Sequence, residues 1–288
     1  MRSKLAIASS IGGGGLALQP GRRHMWRMAE SGTATQLSSR AIVAVIGPDW
    51  RAFLQGLISQ DVETLQPGEL RFGALLNPQG KLLFDLFILG RDDGCWLDVA
   101  ADRRDALIQR LSIYRLRAKV EIAAVDVAVW ALWNGATDGP ADPRLAALGR
   151  RAYGATPAGA AIADEAAYDA MRLALGVPDP GKDSPAETDY PIEANFDLLN
   201  GIDFQKGCFV GQETTSRMKR RGQIKNRMRA ISYAGASPPF GAEVLADARL
   251  RAGEVRTGAN GRAIALLRID RIDGAALTVN GRAVQVDP

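Results

Sequence analysis

Apolar and polar positions follow several distinct rhythms along this chain. Ala41 to Ile46 is a short β-branched run stopped by Gly47-Pro48, and Phe53, Leu54, Leu57 and Ile58 then fall at helical spacing within Asp49 to Ile58. The pattern predicts a strand followed by a helix. Phe72 to Leu76 and Leu82 to Leu89 flank the turn Asn77-Pro78-Gln79-Gly80, and Arg91 to Gly94 marks a second reversal before Cys95 to Val99. Three antiparallel strands are expected there. Asp102 to Leu116 places Leu107, Ile108, Leu111 and Tyr114 on one helical face, and Val120 to Trp133 reads as one long apolar strand. The order β-α-β-β-β-α-β predicts an α+β layer fold for this half.

Gly135 to Gly159 is rich in Gly, Pro and Ala and is expected to loop over the surface. Asp164 to Gly176 returns to helical spacing through Ala167, Met171, Leu173 and Leu175, with Gly176 as the stop. From Lys225 onward only short alternating runs appear, such as Met228 to Tyr233, Ala263 to Ile269 and Ala276 to Val279. Pro238-Pro239, Gly253, Asn260-Gly261 and Asn280-Gly281 separate them. That cadence predicts a small β-barrel. The expected organisation is a disordered leader over 1–38, an α+β domain over 39–135, a middle α+β segment over 136–224 and the barrel over 225–288.

Composition changes this picture little, but charge placement refines it. Of 288 residues, 47% are hydrophobic and 24% charged, as in an ordinary globular protein that is large enough for more than one compact unit. The formal charge is +4, yet residues 1–29 hold five basic residues and no acid. Setting those five aside from 36 leaves 31 basic residues against 32 acidic ones, so the body is near neutral. The leader is read as an upstream extension before Met25 or Met28, with an organelle transit peptide as the alternative. No run approaches the roughly 18 apolar residues of a membrane-spanning helix. Two cysteines make no disulfide framework, so a reducing compartment is expected. The cytoplasm is the default and the mitochondrial matrix is the alternative if the leader is a transit peptide.

Candidate chemistry gathers in one stretch. Gly201 to Gly207 is polar and flexible, and a helix is predicted to begin near Gln212, which leaves Cys208 in the loop that feeds a helix N-terminus. The partial positive charge of that terminus, with Lys206, Arg217 and Lys219 nearby, favours a thiolate. The same local sequence equally allows Cys208, flanked by Phe209 and Val210, to be a small buried hydrophobe. Cys95 reads as structural. Two cysteines and His24 cannot supply the four ligands of a zinc or iron–sulfur site, so no metal is expected on the chain alone, and any cluster would need ligands from elsewhere.

Lys206-Gly207-Cys208-Phe209-Val210-Gly211-Gln212-Glu213, followed by Arg217, closely resembles the motif K-G-C-[YF]-x-G-Q-E-x-x-x-R of the YgfZ-type relatives of the glycine-cleavage T-protein. Phe53-Leu54-Gln55-Gly56 with Asp61, Leu76 to Gly80 with Asp85, and Gly201-Ile202-Asp203 fit the same family in order. The likeness runs from about Ser39 to the C-terminus. It implies a T-protein-like multidomain fold, with ferredoxin-like α+β layers around a central opening that takes tetrahydrofolate, and a C-terminal small β-barrel. The implied role is accessory to making or repairing iron–sulfur enzymes, including those that modify tRNA. The partners implied are the iron–sulfur assembly machinery or its client enzymes. By the same resemblance Cys208 would be the reactive thiol. Asp85, Lys206, Gly207, Gly211, Gln212, Glu213 and Arg217 would bind cofactor, with Asp85 beside the folate nitrogens.

One departure bears on that implication. Ala174 stands where the T-protein pattern has an acid expected to contact the pterin, so Glu193 or Asp197 would have to substitute for it. The missing acid and the presence of Cys208 favour the accessory factor over a folate-dependent aminomethyltransferase. A tRNA-binding reading of the basic run Arg217 to Arg229 ranks below both, because that run contains no aromatic on which a base could stack.

Overall fold

The computed structural model describes residues 32–222 and 224–287. The expectations for the leader before Gly32, including His24, Met25 and Met28, lie outside the described residues. The twenty elements are β1 (Thr33–Gln36), β2 (Arg40–Ile46), α1 (Trp50–Gln55), β3 (Leu70–Leu76), β4 (Leu82–Gly90), β5 (Gly94–Ala100), α2 (Arg104–Arg115), β6 (Glu121–Val125), β7 (Val129–Trp133), β8 (Arg150–Tyr153), β9 (Ala161–Ile162), α3 (Glu165–Ala174), α4 (Pro180–Asp183), α5 (Gln212–Arg221), β10 (Asn226–Tyr233), β11 (Glu243–Ala246), β12 (Leu250–Ala259), β13 (Arg262–Arg268), β14 (Leu277–Val279) and β15 (Arg282–Val286).

Strands β3-β4-β5-β2-β6 form an antiparallel sheet in that order. The expected turn over Asn77 to Gly80 closes β3 onto β4, with the Gly80 amide donating to the Asn77 carbonyl. Alternate residues of β2 and β4 face opposite cores. Val43, Val45, Leu86 and Ile88 pack with Leu54, Leu107 and Leu111 from α1 and α2, while Phe87 and Leu89 pack with Phe196, Ile202 and Phe209. Strand β4 is buried along its whole length, which is why every position in it except Asp85 and Gly90 is a large apolar residue.

The second sheet runs β8-β7-β1-β9, and it corrects three expectations. Thr33–Gln36 is ordered as β1 rather than disordered leader. It pairs antiparallel with β7 and parallel with β9, and Ala34 and Thr35 are fully buried. Val120 to Trp133 is two strands, because the exposed Asp126 interrupts the apolar run and the chain crosses from the edge of one sheet into the other. Gly135 to Gly159 is not only a surface loop, since Arg150–Tyr153 pairs with β7 and carries the buried Arg151. The boundary near 135 therefore separates residues that share one sheet. Helix α3 forms as the spacing predicts. Asp164 caps it by accepting from the Ala167 amide, and Gly176 follows at φ +66°.

The C-terminal strands close into the expected barrel, ordered β10-β13-β12-β11-β14-β15. Two of its hairpins turn on the pairs Asn260-Gly261 and Asn280-Gly281, all four residues having positive φ. Tight two-residue hairpins require that conformation, and Asn and Gly adopt it most readily. Among the described residues no helix is long and apolar enough to cross a membrane.

Candidate functional site: an exposed thiol beside a groove

The segment Gly201 to Gly211 is a loop held by hydrogen bonds at both ends. The Asp203 carboxylate accepts from the amides of Gln205 and Lys206, the Asp203 amide donates to the Ser59 carbonyl, and the Val210 amide donates to the Gly56 carbonyl. Ser59 donates its hydroxyl to the Gly201 carbonyl and accepts from the Ala74 amide. The loop is thus moored to the turn after α1, the place where Gln55, Gly56 and Asp61 meet. Gln55 donates to the Asp61 carboxylate and accepts from the Val62 amide. Burial alone would raise the Asp61 pKa, but the hydrogen bonds from Thr64 and Gln55 outweigh it and hold it well below the usual carboxylate range.

Within this loop Lys206 and Phe209 are buried while Gly207 and Cys208 between them are exposed. Two inward anchors therefore push the thiol outward. Of the two readings left open by the sequence, an exposed cysteine is the one realised. Gly211 then turns the chain into α5 at φ +79° and sits against the β3–β4 turn, where an added Cβ would lie 2.6 Å from the Asn77 carbonyl oxygen. Only glycine fits both constraints. Helix α5 starts at Gln212 as expected. Gly211, Gln212 and Glu213 line a groove of about 990 Å³ together with Pro78, Tyr114, Phe204, Phe209, Val210, Ser216, Lys219 and Arg220. Arg217 is not one of its walls. It pairs with Glu213 one turn away, and both are exposed.

Lys206 has a different setting from the one the motif implied. Its ammonium donates to the Gln55 and Ile58 carbonyls at 2.6 Å each, so it satisfies backbone groups left open at the end of α1 rather than reaching toward a ligand. Burial lowers its pKa from the ordinary lysine value to about 8, against the smaller pull of Asp61 and Asp203. Below about pH 8 the side chain is charged in both folded and unfolded states. Between that value and ~10.4 the unfolded chain keeps the proton and the folded one has released it, so the Lys206 contribution to stability rises with pH. Two hydrogens remain on the neutral amine for the two carbonyls. In urea denaturation the stability gap between the wild type and Lys206→Met should widen from pH 7 to pH 10, and a gap that narrows would refute this setting.

Asp85 belongs to a different place. It is 5% exposed and accepts from Arg40 Nη1 at 2.7 Å. Arg40 also reaches Asp98 at 2.6 Å, Asp98 reaches Arg151 at 2.7 Å, and Asp142 holds Arg144 and Arg151, so three arginines and three aspartates form one buried layer. The three guanidinium groups surround the Phe87 ring at 3.5–5.5 Å from its centroid. Burial would lower the Arg40 pKa, but Asp85 and Asp98 overcome it and push it above its ordinary value.

The cavity that Asp85 lines measures about 10 Å³, and it shares Ala100 and Gly181 with a cavity of about 310 Å³ that Arg40, Asp179 and Lys182 also line. The suggested substitute acids are also engaged. Glu193 accepts from Asn226 and the Tyr190 amide, Asp197 holds Arg227 at 2.9 Å, and Ala174 is exposed at the end of α3. Asp85 and the motif thus line different spaces. Among the described residues no group of three or more His, Cys, Asp or Glu side chains is placed to hold a metal ion.

Reading along the sequence missed Arg40, Asp98, Asp142, Arg144 and Arg151 as one cluster, and Tyr114 and Phe204 as groove walls. Apart from the near-neighbour pair Asp142 and Arg144, these residues acquire their roles from partners tens of residues away.

Comparison with known proteins adds five findings. Residues 225–288 match the family described as CAF17, C-terminal beta-barrel domain. The chain is 30% identical to "Iron-sulfur cluster assembly factor IBA57 homolog, mitochondrial" of Neurospora crassa, over 86% of this chain and 66% of that protein. It is 28% identical to the human "Iron-sulfur cluster assembly factor IBA57, mitochondrial", over 83% and 78% respectively. It spans only 57% of the Phaeosphaeria nodorum homologue, at 33% identity. The chain thus spans less than two thirds of the length of these two fungal relatives. The crystal structure of the glycine cleavage system aminomethyltransferase T from Bartonella henselae shares the fold, at a TM-score of 0.73 and 16% identity over 90% of this chain and 85% of that one.

Proposed function

The chain belongs to the T-protein-like family of YgfZ-type and IBA57 proteins, and from that premise we propose that it is an accessory factor of iron–sulfur cluster assembly. The observation that carries this reading is the exposed Cys208, held outward by the buried Lys206 and Phe209. In the proposed step the thiol releases its proton and its sulfur takes one coordination position on a cluster iron. The partner that delivers or receives the cluster supplies the remaining ligands. That the relatives are iron–sulfur cluster assembly factors supports this role. Their mitochondrial location favours the organelle alternative over the cytoplasmic default.

Asp85 is engaged by Arg40 and takes no part in this step, and tetrahydrofolate would bind as a separate ligand. The test is removal of the protein from its source cell, followed by assay of cluster-dependent and cluster-free enzymes. The first group should lose activity and regain it when the chain is restored. Equal loss in both groups, or no loss in either, overturns the reading.

A further inference from the structure

We infer that the groove beside Cys208 docks an acidic segment with apolar anchors on the cluster-carrying partner. The identity of that partner rests on the function proposed above, whereas the chemistry of the groove does not. Its lining includes the apolar or aromatic Tyr114, Phe204, Phe209 and Val210 and the basic Lys219 and Arg220. Helix α2, which carries Tyr114, also exposes Ile113 at 68%, and Leu116 just past its end is 88% exposed. Contiguous exposed apolar surface with a polar rim marks an interaction site.

Charge selects the occupant. Helix α5 carries Arg217, Lys219, Arg220 and Arg221 against the single acid Glu213. Glu213 is engaged by Arg217, and Lys219 lies 3.5 Å from Asp197, which Arg227 already holds more closely. Among the described residues Arg220 and Arg221 form no ion pair, and both are exposed. This basic lining attracts carboxylates and repels basic segments. RNA fits less well. Of the three aromatics that line the groove, Phe209 is buried and Lys219 Nζ sits 5.4 Å over the Phe204 ring, which leaves Tyr114 alone and not the row of faces on which successive bases stack. The groove lies next to the exposed thiol along the chain, because its lining residues Phe209 and Val210 directly follow Cys208.

The test is fluorescence anisotropy with a short labelled peptide in which Leu and Phe alternate with Glu and Asp. Its counterparts are a peptide with Lys and Arg in place of the acids, one with Ser in place of Leu and Phe, and a single-stranded RNA. The wild type should prefer the acidic apolar peptide. Binding should weaken about tenfold or more in the double variant Lys219→Glu/Arg220→Glu, and also in Phe204→Ser. Equal binding of the basic peptide, unchanged affinity in both variants, or tighter binding of RNA overturns the inference. Cys208→Ser should bind the peptide as the wild type does while failing to hold a cluster. Loss of peptide preference with cluster chemistry intact removes the groove inference alone, and the reverse result removes the cluster reading alone.

Discussion

Anaerobic reconstitution with iron, sulfide and glutathione should give the wild-type chain a visible cluster absorption that Cys208→Ser abolishes, with no change in melting temperature. The ligand count sets this expectation. Clusters are held by about four cysteine thiolates, and the chain has two cysteines in all. Cys95 is 1% exposed, and burial pushes its thiol far above the ordinary value, so it stays protonated and packed among Val43, Val45 and Leu97. Cys208 is the exposed one, and glutathione supplies the ligands that a partner would supply in the cell. Replacing Cys208 touches no packed neighbour, whereas Cys95→Ala leaves a small void in the core and should lower the melting temperature while keeping the absorption. Absorption that survives Cys208→Ser, or that disappears in a folded Cys95→Ala protein, would overturn the assignment.

Asp98→Ala should be the most destabilising single truncation in the buried ionic layer, by about 3–5 kcal/mol, because it strands buried charge. The Asp98 side chain is 1% exposed and accepts from Arg40 Nε at 2.6 Å, Arg151 Nη1 at 2.7 Å and Tyr153 Oη at 3.2 Å. Without it the two guanidinium groups share only Asp85 and Asp142. Glu213→Ala is the contrasting change. It also removes one partner of an arginine pair, but that pair is exposed and contributes about 0–1 kcal/mol. Chemical denaturation of the two variants beside the wild type decides the matter. If Asp98→Ala accumulates only as insoluble protein, Asp98→Asn, which keeps the shape and part of the hydrogen bonding, should be soluble with a lowered midpoint. Midpoints for Asp98→Asn and Glu213→Ala that both match the wild type would show that the layer does not bind the two sheets.

Elements with a strong local cause were legible in the sequence. The barrel hairpins follow from Asn260-Gly261 and Asn280-Gly281, whose positive φ is a property of the residues themselves. Helix α3 follows from its apolar spacing, the Asp164 cap and the Gly176 stop, and α5 begins where the breakers end. Strand β1 was not legible, because Thr33–Gln36 has no pattern longer than four residues and becomes a strand only by pairing with β7 and β9. The division of Val120 to Trp133 was hidden because both halves are apolar, and apolarity does not say which sheet a strand joins.

The candidate site divides along the same line. Lys206 to Glu213 by itself identified the family, the glycine at the helix start and the cysteine in a loop, since each depends on residue type and short spacing. Only the tertiary structure decided that Cys208 faces outward, that Lys206 turns inward to two backbone carbonyls, and that Asp85 is tied to Arg40. It also brought Tyr114 and Phe204 beside a basic helix that has no aromatic of its own. Exposure, charge pairing and groove shape are set by which distant segments meet. An amino-acid type carries its donors, its charge and its backbone preferences along the chain, but it acquires neighbours only when the sheets close.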